Sequence, residues 1–301
     1  MATGRAIKNR IKATKNIQQI TKAMEAVSAV KMRKSEGAAV SARPYALASL
    51  NILKNIRKAL KDETTSENPL VTERHVNRTC LVVITSDKGL AGAFNTNVIR
   101  KAQNFITNTK NPVDVVAIGK RGRDYFGRHK LNLIKEFSES GDFATIAETL
   151  HIAEYIHSLF AEMKCDEVVV VYTNFISALK QNVVVRKILP VTVEALEEIT
   201  KHIAPDLKVI ADEKNSDYTF EPSTKAVLEQ LIPELVNVEI FQCILEANAS
   251  EHSSRMIAMK SASDNAGELI GDLRIVYNKA RQAQITKELT EITAGAEALS
   301  S

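Results

Sequence analysis

Residues 262–299 read ASDNAGELIGDLRIVYNKARQAQITKELTEITAGAEAL, and no proline follows Pro233. Ala262, Ala266, Leu269, Leu273, Val276, Ala280 and Ala283 advance by alternating fours and threes. After one skip, Ile285, Leu289, Ile292, Ala296 and Leu299 do the same. That repeat is the seam of a coiled coil, and the skip is a stutter. Pro233 suits the first turn of a helix, where its missing N–H costs nothing. A helix from 234 to 299 spans ~99 Å at 1.5 Å per residue. So long a helix cannot hide its own stripe and needs a partner.

The other end of the chain offers one. Between Arg5 and Glu36 there is no Gly and no Pro, and Ala, Lys, Gln, Met and Glu dominate, all good helix formers. Ile17, Ile20, Met24 and Val27 step by three, four and three, again a heptad-type seam. The pattern continues through Leu47, Leu50, Leu53, Ile56 and Leu60, with a bend or local break expected at Pro44. Running from 5 to 61, this helix reaches ~85 Å. Pairing of the two terminal helices is the simplest way to cover both stripes.

The middle follows another rhythm. Leu81–Thr85, Val113–Ile118, Glu167–Tyr172 and Asn182–Leu189 are short apolar runs, and helical stretches fall at about 93–108, 121–129 and 144–163. Strands alternating with helices predict an α/β layer with a largely parallel, Rossmann-like sheet. Residues 190–220 are polar, hold Pro190 and Pro205, and read as a connection. The expected fold is α/β plus coiled coil. It comprises a shaft helix at 1–61, an inserted head at 75–190, a connection at 191–222 and a second shaft helix at 223–301.

Composition agrees. Eleven glycines and seven prolines in 301 residues, no Trp and 5% aromatics point to long, slim helices rather than a β-sandwich. No apolar run approaches 18 residues, so no transmembrane helix is expected. The start lacks the apolar core of a secretory signal; its basic character superficially suits a transit peptide but reads better as retained helix. Cys80, Cys165 and Cys243 form no Cys-x-x-Cys pair and fit a reducing compartment. Net charge is +4, yet residues 1–35 carry nine bases against Glu25 alone. Such an arm implies an acidic partner surface: protein, nucleic acid or lipid headgroup.

Catalytic signals are weak. Thr85–Gly92 (Thr-Ser-Asp-Lys-Gly-Leu-Ala-Gly) follows the first strand, where α/β proteins place ligands, but matches neither phosphate-loop nor dinucleotide spacing. Gly119–Arg123 is a basic turn that could touch phosphate or simply be solvated. His151, Glu154 and His157 fan over ~120° of one helix and lack the His-Glu-x-x-His spacing, so a polar helix face explains them better. No Gly-x-Ser-x-Gly elbow occurs.

The ends carry a family resemblance. Ile17–Glu25 (Ile-Gln-Gln-Ile-Thr-Lys-Ala-Met-Glu) leads to Lys31-Met32-Arg33-Lys34. Arg255–Lys260 is followed by Asp264-Asn265-Ala266, then by the run Tyr277–Ile292. With Ser86–Gly92 and Asn95, these resemble the gamma subunit family of the F-type ATP synthase along the whole architecture. The resemblance implies a non-catalytic central-stalk rotor that holds no cofactor of its own. Its coiled-coil shaft turns inside three alpha and three beta subunits, with the epsilon subunit beside it and a head seated on the membrane c-subunit ring. Rotation then couples proton flow to ATP synthesis or hydrolysis at the beta subunits, where ATP and Mg²⁺ bind.

By the same resemblance, Met24 and the Lys88, Gly89, Ala91 turn meet levers of the hexamer. Arg255, Arg281, Gln282 and Thr286 bond its loops, and Tyr218, Phe220 and Glu221 face the c ring. Ala91 stands where many relatives carry cysteine, and 190–215 shows no close match. The implied location is the cytoplasmic face of a bacterial plasma membrane, as a peripheral protein without nucleic acid. A slim shaft is expected to avoid large exposed apolar surface, which would lock it in one orientation. Two other readings make different demands. A nucleotide-dependent α/β enzyme needs phosphate on the Asp87–Gly92 turn. Nucleic-acid binding by the basic arm needs steep salt dependence, and lacks aromatics for stacking.

Overall fold

The structure is a computed structural model that describes residues 4–59, 69–138, 145–191, 221 and 223–300. The elements are α1 (Gly4–Ala59), β1 (Thr79–Ile84), α2 (Phe94–Asn108), β2 (Val113–Ile118), α3 (Lys120–Arg128), β3 (Leu133–Phe137), α4 (Ile146–Ala161), β4 (Glu167–Phe175), β5 (Gln181–Leu189) and α5 (Thr224–Ser300). They divide into two compact units, Met1–Ser28 with Arg255–Ser301, and Ala29–Ser254.

The larger unit holds one sheet in the order β3-β2-β1-β4-β5. β3, β2, β1 and β4 are parallel, and β5 returns antiparallel to β4. Side chains alternate faces along a strand. Cys80, Val82 and Ile84 therefore point into one core layer with Ile152, Ile156 and Phe160 of α4, Ala39 of α1 and Val236, Ile240 and Ile244 of α5. Leu81 and Val83 point into the other layer with Val98 and Ala102 of α2 and Phe126 of α3. Burial on both faces explains why these strands read as unbroken apolar runs.

The four expected strands and three expected helices are present. β3 is an addition. It is an edge strand with mostly half-exposed residues, and its Lys135 and Glu136 leave no apolar run to read. At the prolines the structure shows no break at Pro44 and a different role for Pro233. α1 continues through Pro44, and α5 starts nine residues before Pro233 and contains it. Ser223 caps that start: its Oγ accepts from the Ala226 amide at 3.2 Å and its carbonyl from Val227 at 3.1 Å. Serine serves the orphan first-turn amides directly, so the helix does not need a proline to begin.

In the smaller unit the α1 and α5 segments run antiparallel. Gly4 lies against the Tyr277 ring, and the Gln18 side chain reaches both Gly267 and the Ser263 carbonyl, the latter at 3.4 Å. The seam is not the stripe of large apolar residues. Ile7, Thr14, Thr21 and Ser28 are buried from α1, and Met259, Ser263, Ala266 and Ile270 from α5. Ile17, Ile20 and Val27 face outward, as do Leu269 and Val276. Small and short polar residues let two helices approach closely. Thr14 and Thr21 return their hydroxyls to their own helix, at the carbonyls of Arg10 and Ile17, so neither of these two hydroxyls is stranded.

Candidate functional site

The turn after β1 is tied to the turn after β2. The Ser86 amide donates to Asn95 Oδ1 at 3.0 Å, and Ser86 Oγ donates to the Lys88 carbonyl at 2.6 Å. Thr85 Oγ1 donates to the Ile118 carbonyl at 3.0 Å and accepts from the Gly122 amide at 2.8 Å. Gly119 stands at φ +94°, where a Cβ would overlap the Thr85 carbonyl. These bonds leave Lys88 exposed, Gly89 half-buried under the Arg121 guanidinium, and Ala91 buried. Beside Lys88, the turn presents Leu90, an apolar side chain 63% exposed and at φ +63°. Ala91 is thus a packing residue, and Leu90, which lies within the motif but not among the contact residues the resemblance names, is the exposed apolar group.

The basic Gly119–Arg123 turn has its helix terminus already served from within the chain. The first amide of α3, Lys120 N–H, donates to Asp87 Oδ1 at 2.9 Å. A carboxylate of the chain itself stands where an anion would bind the helix terminus. Among the described residues no group of His, Cys, Asp and Glu could hold a metal ion. His151 packs on the Phe137 ring instead, and burial pushes the His157 imidazole below its usual range, against attraction from Glu154 and Glu234.

On the shaft, Met24 is half-buried and Arg255 is buried rather than offered to solvent. Arg281, Gln282 and Thr286 are exposed, as is every residue from 281 to 296. The pairing explains this: Gly4 already lies at Tyr277, so α5 beyond it has no described α1 residue alongside. Ile285, Leu289 and Ile292 are all about half exposed or more there. The expectation of a shaft poor in outward apolar groups is therefore corrected. Sequence reasoning missed this face because it assigned the large apolar residues to the seam. Glu221 is exposed; Tyr218 and Phe220 lie outside the described residues. Among the described residues no helix is long and apolar enough to cross a membrane.

Two terminal helices paired antiparallel, with a mixed α/β sheet inserted between them and one helix end left bare, define a stalk-type protein. The chain belongs to the ATP synthase family, whose profile matches residues 3–299. It is 40% identical over 303 residues to the ATP synthase gamma chain of Roseiflexus castenholzii, covering 99% of each chain. With the gamma chain of Halothermothrix orenii it shares 41% over 300 residues, 99% of this chain and 100% of the other. The fold recurs in the Euglena gracilis mitochondrial ATP synthase, OSCP/F1/c-ring assembly, at TM-score 0.66 and 20% identity, covering 98% of this chain and 94% of that one. It recurs also in the Tetrahymena thermophila central stalk and c ring, at TM-score 0.59 and 24% identity, covering 81% and 99%.

Proposed function

We propose that this chain is the central-stalk rotor of an F-type ATP synthase, itself without a catalytic centre. It turns inside three alpha and three beta subunits, with an epsilon subunit and a membrane c ring at the head. The observation that carries this reading is the outward face of the shaft: its seam mixes small and polar residues with Ile7, Met259 and Ile270, while Ile17, Ile20, Leu269, Val276, Ile285, Leu289, Ile292 and many bases face outward. A seam of that kind leaves those outward side chains for a surrounding sleeve. Each orientation of an asymmetric shaft then favours one conformation of the beta subunit it faces, which is coupling by differential contact.

Contacts fall into two kinds. Lys88, Gly89 and Leu90 on the head turn, and Met24 on α1, meet the lower levers of the hexamer. Arg281, Gln282 and Thr286 reach loops higher in the sleeve, and Arg255 braces the shaft from within. Exposed Arg5, Lys8, Lys12 and Lys15 attract acidic levers at long range, an effect that salt screens. Tyr218, Phe220 and Glu221 meet the c ring, and the complex sits on the cytoplasmic face of a bacterial plasma membrane.

Native mass spectrometry of the assembled complex tests the rotor reading. One copy per alpha–beta hexamer is expected, and several copies refute it. A chain ended after Ala283 is expected to assemble normally yet lose coupled ATP synthesis several-fold, because the bare end of α5 supplies contacts but no seam. Undiminished proton-driven synthesis after that truncation would remove Thr286 and its neighbours from the working contacts.

A further inference from the structure

β1 and β4 are neighbouring parallel strands, so the turns that follow them leave the sheet at one edge. β2 runs parallel on the other side of β1, and its turn joins the same edge. These turns are residues 85–92, 119–123 and 176–180, the last closing the β4–β5 hairpin. Val83 pairs with Val171, which sets Ile84 level with Tyr172, and β4 runs on through Thr173, Asn174 and Phe175. The hairpin therefore stands ~10 Å beyond the end of β1 at 3.3 Å per residue.

The hairpin turn shows apolar side chains to solvent. Leu179 is 86% exposed and Ile176 49%, beside Leu90 on the neighbouring turn. The turn itself is firmly closed. The Ile176 and Ser177 amides donate to the Lys180 carbonyl at 3.3 and 3.0 Å. The Lys180 amide returns to the Ser177 carbonyl at 3.2 Å and to its hydroxyl at 3.1 Å. α5 holds the hairpin as well. Ser250 Oγ donates to the Thr173 carbonyl at 3.1 Å, Ser253 Oγ to the Ala178 carbonyl, and Ser254 Oγ to Gln181 Oε1 at 2.7 Å. Apolar groups set on an ordered turn and left in water mark an interaction surface.

Charge says what kind of surface. The three turns carry Lys88, Lys120, Arg121, Arg123 and Lys180 against one acid, Asp87. That acid already accepts from the Lys120 amide at 2.9 Å. Lys88, Arg121 and Lys180 are exposed. Leucine and isoleucine tips among bases fit a partner that sets carboxylates around an apolar side chain. A bilayer also offers anions and an apolar interior, but none of these turns carries the Trp, Tyr or Phe that settle at a membrane interface. Turns ordered before contact suit a folded partner, which meets them without further loss of chain entropy.

We propose that the β4–β5 hairpin, through Ile176, Leu179 and Lys180, is a second docking point of the head beside the turn of Lys88 and Leu90. Its partner is an acidic helix end of the alpha–beta hexamer that carries an apolar side chain. The inference rests on the rotor reading and adds a residue set to it. The serine bonds make the hairpin an extension of α5, so a force on the hairpin is a force on that helix.

Carbodiimide treatment of the assembled complex tests the inference, because it joins a lysine amine to a touching carboxylate as an amide. Peptide mapping is expected to find Lys180 joined to an aspartate or glutamate of an alpha or beta subunit. A Leu179→Glu chain should melt as wild type does and assemble at one copy per hexamer, since the side chain it replaces lies mostly in water. Its proton-driven ATP synthesis is expected to fall about five-fold or more, the effect of one lost interface contact. The control is Met163→Glu, at an apolar residue 75% exposed ahead of β4, at the other edge of the sheet; it should leave synthesis unchanged. Absence of any Lys180 link to alpha or beta overturns the inference, and so does an equal rate in Leu179→Glu and wild type or an equal fall in both variants. With one copy per hexamer, the rotor reading survives each of these results; several copies refute that reading instead. Flotation of the free chain with phosphatidylglycerol vesicles, abolished by Leu179→Glu, would assign the hairpin to lipid and overturn the inference as well.

Discussion

A Gly119→Ala chain is expected to lose about 3 kcal/mol or more of head stability, a fall of roughly 10 °C in the melting midpoint for a unit of this size. Two effects add. The residue sits at φ +94°, which an L side chain adopts only with strain. Its new methyl would also overlap the Thr85 carbonyl, a backbone atom that cannot swing away. Thr85 is fixed in turn, because its amide donates to the Ile118 carbonyl at 2.8 Å and its hydroxyl holds the Ile118 carbonyl and the Gly122 amide. Relieving the clash would open the bond network that shapes both turns and presents Leu90. The control is Gly127→Ala, in the same short helix, where a Cβ meets nothing within 4 Å. That change should be neutral or stabilise by about 0.5–1 kcal/mol through helix propensity. Calorimetry of both variants decides. Equal melting points would mean that the β1 and β2 turns yield independently, contrary to their bonding.

The strands were legible because both faces of the sheet are covered, which turns β1, β2 and β4 into plain apolar runs. β3 was not, since an edge strand tolerates Lys135 and Glu136 and shows no period. The existence of two long terminal helices was legible from missing Gly and Pro, but the phase of their seam was not. Apolar residues recur at coiled-coil spacing on both sides of each helix, so periodicity alone fits two phases. Burial selects between them. Thr14, Thr21, Ser263 and Ala266 permit a close antiparallel approach, with Ile7, Met259 and Ile270 packed among them, whereas Ile17, Ile20, Leu269 and Val276 face outward. The motif does not show which of its side chains protrudes: Ala91 packs inward, and Leu90, at positive φ, stands exposed.

Neighbouring residues on α5 distinguish the two seam phases in one experiment. Ile270 is 6% exposed in the structure and Leu269 is 39% exposed. The periodicity of the large apolar residues would make Leu269 the buried one. Ile270→Asp places an unpaired carboxylate in the helix pair, and a loss of about 3 kcal/mol or more is expected, seen as early melting of helical circular dichroism. Leu269→Asp should change stability by about 1 kcal/mol or less, because its carboxylate can turn to water. Function should divide differently. Under the rotor reading, both variants lower proton-driven ATP synthesis in reassembled complex, but Leu269→Asp does so with an unaltered melting curve. The lost apolar contact then belongs to the sleeve and not to the shaft. If Leu269→Asp melts early and Ile270→Asp does not, the seam lies on the larger residues and the shaft has no outward apolar face there. If Leu269→Asp leaves both melting and synthesis untouched, the outward apolar face at that level carries no coupling, and the working contacts must lie on the bare end of α5 beyond Tyr277.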